Sequence, residues 1–211
     1  MQQLAQQLWN GLAIGSVYSL VAVGYTLVFG VLKFINFAHG SVLTVGAYIA
    51  MYAVLRRVLP FPLAFAASML LSGLFANQTE RRAYRPLRER GAPRLNLLIT
   101  SIGVSLLVEN FIVVFVSADF LPFPRVLPTT PLNFAGMMVP PVDFLLVGTG
   151  LVLMFALTYL VNFTLTGLSI KAVALDRDAA ALMGINTNRT ISLTFFIAGV
   201  MASAAGVLIG M

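Results

Sequence analysis

Residues 8 to 32 read LWNGLAIGSVYSLVAVGYTLVFGVL, 25 positions without one charged side chain. Wound as a helix at about 1.5 Å per residue, such a run exceeds the roughly 30 Å of a bilayer's hydrocarbon core. The pattern recurs along the chain. Phe34 to Leu55, Val58 to Thr79 and Thr190 to Met211 are 22 residues each, Leu95 to Ala118 is 24 with the single charge Glu109, and Phe144 to Ile170 is 27. A closed β-barrel also satisfies its backbone in lipid, but its strands are about ten residues of alternating polarity. Nothing here alternates in that way. The reading is an all-α, polytopic transmembrane bundle of about six spans, forming a single domain over residues 1–211. Met1 to Gln7 holds no Lys or Arg, so the first span is not expected to be a cleaved signal.

Composition supports a lipid environment. Hydrophobic residues make up 59% of the 211 and charged residues 9%, against about 25% charged in a soluble domain. The net charge of +6 would suit nucleic acid only if the cations lined a soluble surface. They lie between apolar runs instead, as topology signals, and no nucleic-acid partner is expected. The absence of cysteine excludes disulfides, thiolate metal sites and cysteine nucleophiles.

Glu80 to Arg94 carries six Arg against two Glu, which assigns it to the cytoplasm. Asp119 to Asp143, with one Arg, two Asp and six of the ten prolines, is expected outside. Lys171 to Arg189 returns inside, and parity places the amino terminus outside. Arg56 and Arg57 dissent, since this scheme leaves them on the outer face. A broken or re-entrant helix in the first 60 residues would shift the count.

A few polar residues interrupt the apolar runs. Lys33 to Gly40 reads KFINFAHG; Asn36 and His39 share a face if that stretch is helical. An amide and an imidazole in hydrocarbon need partners. They either line a solute path beside an interrupted helix or serve as glue between helices. Glu109, followed by Asn110, poses the same choice: a titrating group in a pathway, or a carboxylate tied to a neighbouring helix or wetted near the outer surface. Gly11 and Gly15, and Gly199, Ala202, Ala205 and Gly206, are small enough for close helix packing or a subunit contact. The acidic residues are too scattered for an acid/base pair or a metal cluster, and no enzyme is read from them.

Residues 171 to 189, KAVALDRDAAALMGINTNR, differ from the spans. Ala172, Leu175, Ala179, Leu182 and Met183 form an apolar face at helical spacing, with Asp176, Arg177 and Asp178 opposite and Gly184 ending the helix. The expected element is one amphipathic helix at the inner surface. It either lies on lipid or fits a groove on a cytoplasmic partner.

Asp178-Ala179-Ala180-x-x-x-Gly184 resembles the E-A-A-x-x-x-G coupling loop of ABC importer permeases, with Asp for Glu. INFAHG at 35–40, RPLR at 85–88, LITSIG at 98–103 and ALDRDAAALMGIN at 174–186 are similar to the LivH-type branched-chain amino acid permease family, and the resemblance runs from Leu8 to Gly210. It implies an inner-membrane permease subunit whose cytoplasmic coupling loop, 171–189, docks on a separate ATP-binding subunit. This chain has no phosphate loop of its own, so no cofactor is expected on it and ATP belongs to the partner. The implied partners are a second permease, two ATP-binding subunits and an extracytoplasmic solute-binding protein. The implied solute is leucine-like, another amino acid, an amide or urea. Family members continue with further spans, so the resemblance also implies that the chain is carboxy-terminally incomplete. An ion- or proton-coupled carrier built on Glu109 is the competing reading.

Overall fold

The computed structural model describes residues 2–119, 121–124, 126, 127, 130, 132–134 and 137–211. Six of its helices are long and apolar enough to cross a membrane. The first span is α1 (Gln2–Leu32). Lys33, in the left-handed region at φ 57°, ends α1, and a non-helical stretch to Phe37 precedes α2 (Ala38–Leu55). Thus the expected span 34–55 is shorter, and Asn36 stands outside the helix that carries His39. They do not share one helix face. Next comes α3 (Phe61–Thr79), which passes through one π-helical stretch (Glu80–Tyr84) into α4 (Arg85–Glu89). Most of the segment read as a basic loop is therefore a prolongation of the third span. Gly91, at φ 65°, makes the turn into α5 (Arg94–Phe115).

The proline-rich segment carries a small departure from an all-helical chain: β1 (Leu132–Phe134) pairs antiparallel with β2 (Met137–Val139). The Gln6 side-chain amide completes β2 by donating to Met138 O and accepting from Met138 N–H, both at 3.1 Å, as a neighbouring strand would. Arg125, the basic residue of that segment, lies outside the described residues.

The run 144–170 is not one helix. It is α6 (Pro141–Phe163) and α7 (Leu165–Leu175). Thr164, extended at φ −117°, caps α7 by accepting from Gly167 N–H at 3.1 Å. A Cβ on Gly167 would stand 2.3 Å from Val161 O, so only glycine fits this corner. Two further helices follow, α8 (Arg177–Leu182) and α9 (Thr187–Gly210).

The centre of the bundle is α9, buried from Thr190 almost without interruption to Leu208 and packed on α1, α2 and α3. Small residues permit this. A Cβ on Gly206 would fall 2.3 Å from Leu43 O, and one on Gly46 2.6 Å from Ser203 Cβ. Backbone contact replaces side-chain volume, and dispersion rather than hydrophobic transfer holds helices together in lipid. Gly11 and Gly15 behave differently: among the described residues, no atom beyond the local helix backbone lies within 4 Å of a Cβ there. Their stripe on α1 is unused by the other described helices. At the other extreme α5 is mostly exposed, with Val114 74% and Leu107 68% accessible.

Candidate functional site

The chemistry-bearing residues collect at the basic end of the bundle. Breaking the chain between α1 and α2 frees backbone groups that hydrocarbon cannot satisfy. Side chains from other spans take them up. Phe37 N–H donates to Ser101 Oγ of α5 at 3.2 Å, and Ser101 Oγ donates to Leu98 O at 2.7 Å. Asn36 Oδ1 accepts from Ala38 N–H at 3.2 Å and from the Tyr84 hydroxyl at 2.9 Å. Tyr84 is 1% exposed, its ring tilted against Phe34 and Phe195 at centroid distances of 5.6 and 5.5 Å. His39 is buried one turn further on, edge-on to Tyr25. A small cavity of about 10 Å³ beside Asn36, His39 and Thr79 matches the room of a single water.

Sequence reasoning missed the cluster next to this break. Glu80, fully buried, stands 3.2 Å from Arg85 Nη2 through Oε2 and 3.0 Å from Arg88 Nη2 through Oε1. Ser192 Oγ on α9 donates to Glu80 Oε2 and accepts from Arg85 Nη2. Arg88 Nη2 also donates to Asn188 Oδ1 at 2.6 Å, and Asn188 Nδ2 donates to Glu89 Oε1 at 2.9 Å. The π turn creates this geometry. At α-helical winding a residue five positions on is about 140° off the face, whereas a π turn returns i and i+5 to register. Arg85 N–H accordingly bonds Glu80 O. A buried carboxylate shared by two guanidiniums is costly to desolvate and costly to break.

The 171–189 segment is not one amphipathic helix. Asp176, extended at φ −146°, splits it into the end of α7 and the separate α8. Its Oδ1 accepts from Asp178 and Ala179 N–H at 2.9 and 3.0 Å, and Asp and Asn are preferred at such caps. Ala172 lies half-buried on α7, and Ala180 anchors α8 at 4% exposure. Gly184, at φ 82°, closes the far end, with Ile185 N–H bonded to Ala180 O at 3.0 Å, as expected of a glycine beyond a helix terminus. Asn186 then caps α9 through Arg189 N–H at 3.0 Å. The apolar residues expected to cover something here do not. Leu175, Leu182 and Met183 are 89%, 89% and 84% exposed.

Glu109 is placed away from these groups, exposed on α5. A ladder leads to it: Ser41 and Ser105 hydroxyls are 2.8 Å apart, and Ser105 Oγ donates to Glu109 Oε1 at 3.0 Å. Asn110 returns its amide to Leu106 O at 2.7 Å. Among the described residues, no group of three or more His, Cys, Asp or Glu is placed to hold a metal.

Residues 7–211 match the family described as the permease component of branched-chain amino acid transport systems. The high-affinity branched-chain amino acid transport system permease protein BraD of Pseudomonas aeruginosa is 38% identical over 221 residues, spanning 98% of this chain and 70% of BraD. The corresponding LivH proteins of Escherichia coli K12 and Salmonella typhimurium are each 33% identical over 218 residues, spanning 97% of this chain and 70% of their own. No solved structure matches the chain.

Proposed function

The chain belongs to the family of permease components of branched-chain amino acid transport systems, and from that premise we propose that it is one transmembrane subunit of an ABC importer. It is a multi-pass membrane protein and a transport subunit rather than an enzyme; the membrane is the inner (plasma) membrane and the cargo is branched-chain or related amino acids. The observation that carries the reading is the capped turn at 176–184. Asp176, Ala180 and Gly184 fix a short helix while Leu175, Leu182 and Met183 project uncovered. An apolar knob held rigidly on a buried anchor suits the groove of a cytoplasmic partner. Residues 171–189 are thus the coupling loop, and two ATP-binding subunits hydrolyse ATP beneath it.

Motion of the loop reaches the spans through two joints. Thr164 and Gly167 fix α7 against α6, and Asn186 fixes the start of α9. The Glu80 cluster then ties α9 to the third span. Transport follows if ATP at the partner and a loaded solute-binding protein outside favour opposite conformations. Glu109 and Asn110, exposed on the outer half of α5, are too polar to face hydrocarbon. That surface of α5 faces a second permease subunit and the solute path between the two, to which Asn36 and His39 contribute from within. A carrier driven by ion binding at Glu109 is not favoured by the family.

The test uses the assembled importer. Replacing Leu182 and Met183 together by Glu alters only exposed positions, so the chain's thermal midpoint stays within a few degrees. Copurification of the ATP-binding subunits and ATP-dependent leucine uptake are expected to fall at least tenfold. Unchanged copurification and uptake overturn the assignment.

A further inference from the structure

A notch of about 450 Å³ opens at the basic end between the close of α1, the turn into α5, and the α7–α8 junction. Four cations line it, Lys33, Arg88, Arg94 and Arg177, against Asp176 and Asp178. Arg88 is committed to Glu80, and Asp176 Oδ1 is committed to the α8 backbone. Among the described residues, neither Lys33, Arg94 nor Arg177 makes an ion pair within 4 Å, and Arg177 donates to Val31 O at 3.4 Å, a neutral carbonyl. Burial holds the Arg177 guanidinium below its ordinary value, Asp178 opposes that, and the charge of Arg94 adds to it. Lys33, Arg94 and Arg177 outnumber the two carboxylates of the notch, Asp176 and Asp178, and leave it net positive.

A second cavity, of about 420 Å³, lies beside this notch and shares two wall residues with it. It is a mainly apolar groove on the flank of the spans between α1, α6 and α7, and Val31 and Ala174 line both. Gly30, Leu157 and Val161 form its wall, and Lys171 stands at its edge with its ammonium on Asn162 Oδ1 at 2.7 Å. One ligand is anionic where the notch is cationic and aliphatic where the groove is apolar. The geometry points to an anionic phospholipid, its phosphate between Arg94 and Arg177 and an acyl chain laid along α1 past Gly30. Basic pockets between spans on the cytoplasmic side suit such headgroups. This site sits behind the 176–184 turn, so the lipid joins α1 to that turn. The inference needs only a bilayer, and it stands whatever solute is carried.

The test takes the assembled importer in nanodiscs of phosphatidylcholine doped with dioleoyl phosphatidylglycerol, with retained lipid counted by native mass spectrometry. Phosphatidylglycerol is expected to be retained over phosphatidylcholine. Each basic residue near such a headgroup is worth about fivefold in affinity, so Arg94→Gln with Arg177→Gln lowers retention about thirtyfold. Gly30→Leu, where an added Cβ meets nothing within 4 Å, fills the groove and lowers it several-fold with the notch intact. Equal retention of the two lipids, or full retention by the arginine pair variant, overturns the inference. Displacement by millimolar inorganic phosphate with no effect of Gly30→Leu makes the notch a free-anion site and likewise overturns it. So does retention confined to the chain without its ATP-binding subunits, which makes the notch a protein contact.

Discussion

The Tyr84 hydroxyl donates to Asn36 Oδ1 at 2.9 Å, across 48 residues of sequence. One atom of Asn36 thereby closes the first turn of α2 and pins the extended third span to the gap between α1 and α2. Tyr84→Phe keeps the ring and removes this link. The loss is expected to be about 1–2 kcal/mol, with amide exchange rising at 35–39 before elsewhere. Exchange that rises uniformly would refute a local role.

Glu80 should be the least replaceable acid in the chain. Glu80→Ala leaves Arg85 and Arg88 with no counter-ion in a buried site, at a cost of about 3–5 kcal/mol. Glu89→Ala, in the neighbouring surface turn, should cost under about 1 kcal/mol. Thermal unfolding in the same detergent compares them, and equal costs would mean that the buried cluster carries no special stability.

Gly206→Ala drives a methyl group into Leu43 O, and separating α2 from α9 should cost about 1–3 kcal/mol. Gly15→Ala meets no atom of another described element; within the isolated protein it should be neutral or stabilise by up to about 1 kcal/mol, through helix propensity. A penalty for Gly15→Ala that appears only in the assembled importer would place the Gly11/Gly15 stripe at a subunit contact.

At Gly184 the backbone, at φ 82°, rather than space, is limiting. Asn tolerates this region and a β-branched residue does not. Gly184→Asn should retain ATP-driven uptake, while Gly184→Val should lose most of it through a displaced 176–184 turn. Equal uptake by the two would argue against a fixed geometry there.

The spans were legible because twenty-odd apolar residues in a row have few other fates. Gly184 as a terminator was legible too, since its signal is local. The break at Thr164 is hidden in the sequence, because no charge interrupts the run there; the spacing Thr164-x-x-Gly167 is the available signal. The division at Asp176 was present in the residue itself, a strong helix cap, but an unbroken apolar periodicity on both sides masked it. Glu80, Arg85 and Arg88 read as surface charge because their pairing needs π winding and a partner from α9, 112 residues away. Asn36 and His39 were found by chemical type, and their distinct backbone settings came only with three dimensions.

The widened turn at 80–84 also constrains chain length. It holds one surplus residue, so deleting residue 81, 82 or 83 would rewind it to α-helical winding and leave Arg85 four positions from Glu80, still on nearly the same face. One more residue there would instead turn both guanidiniums about 100° off the carboxylate, so this segment tolerates a loss in length better than a gain.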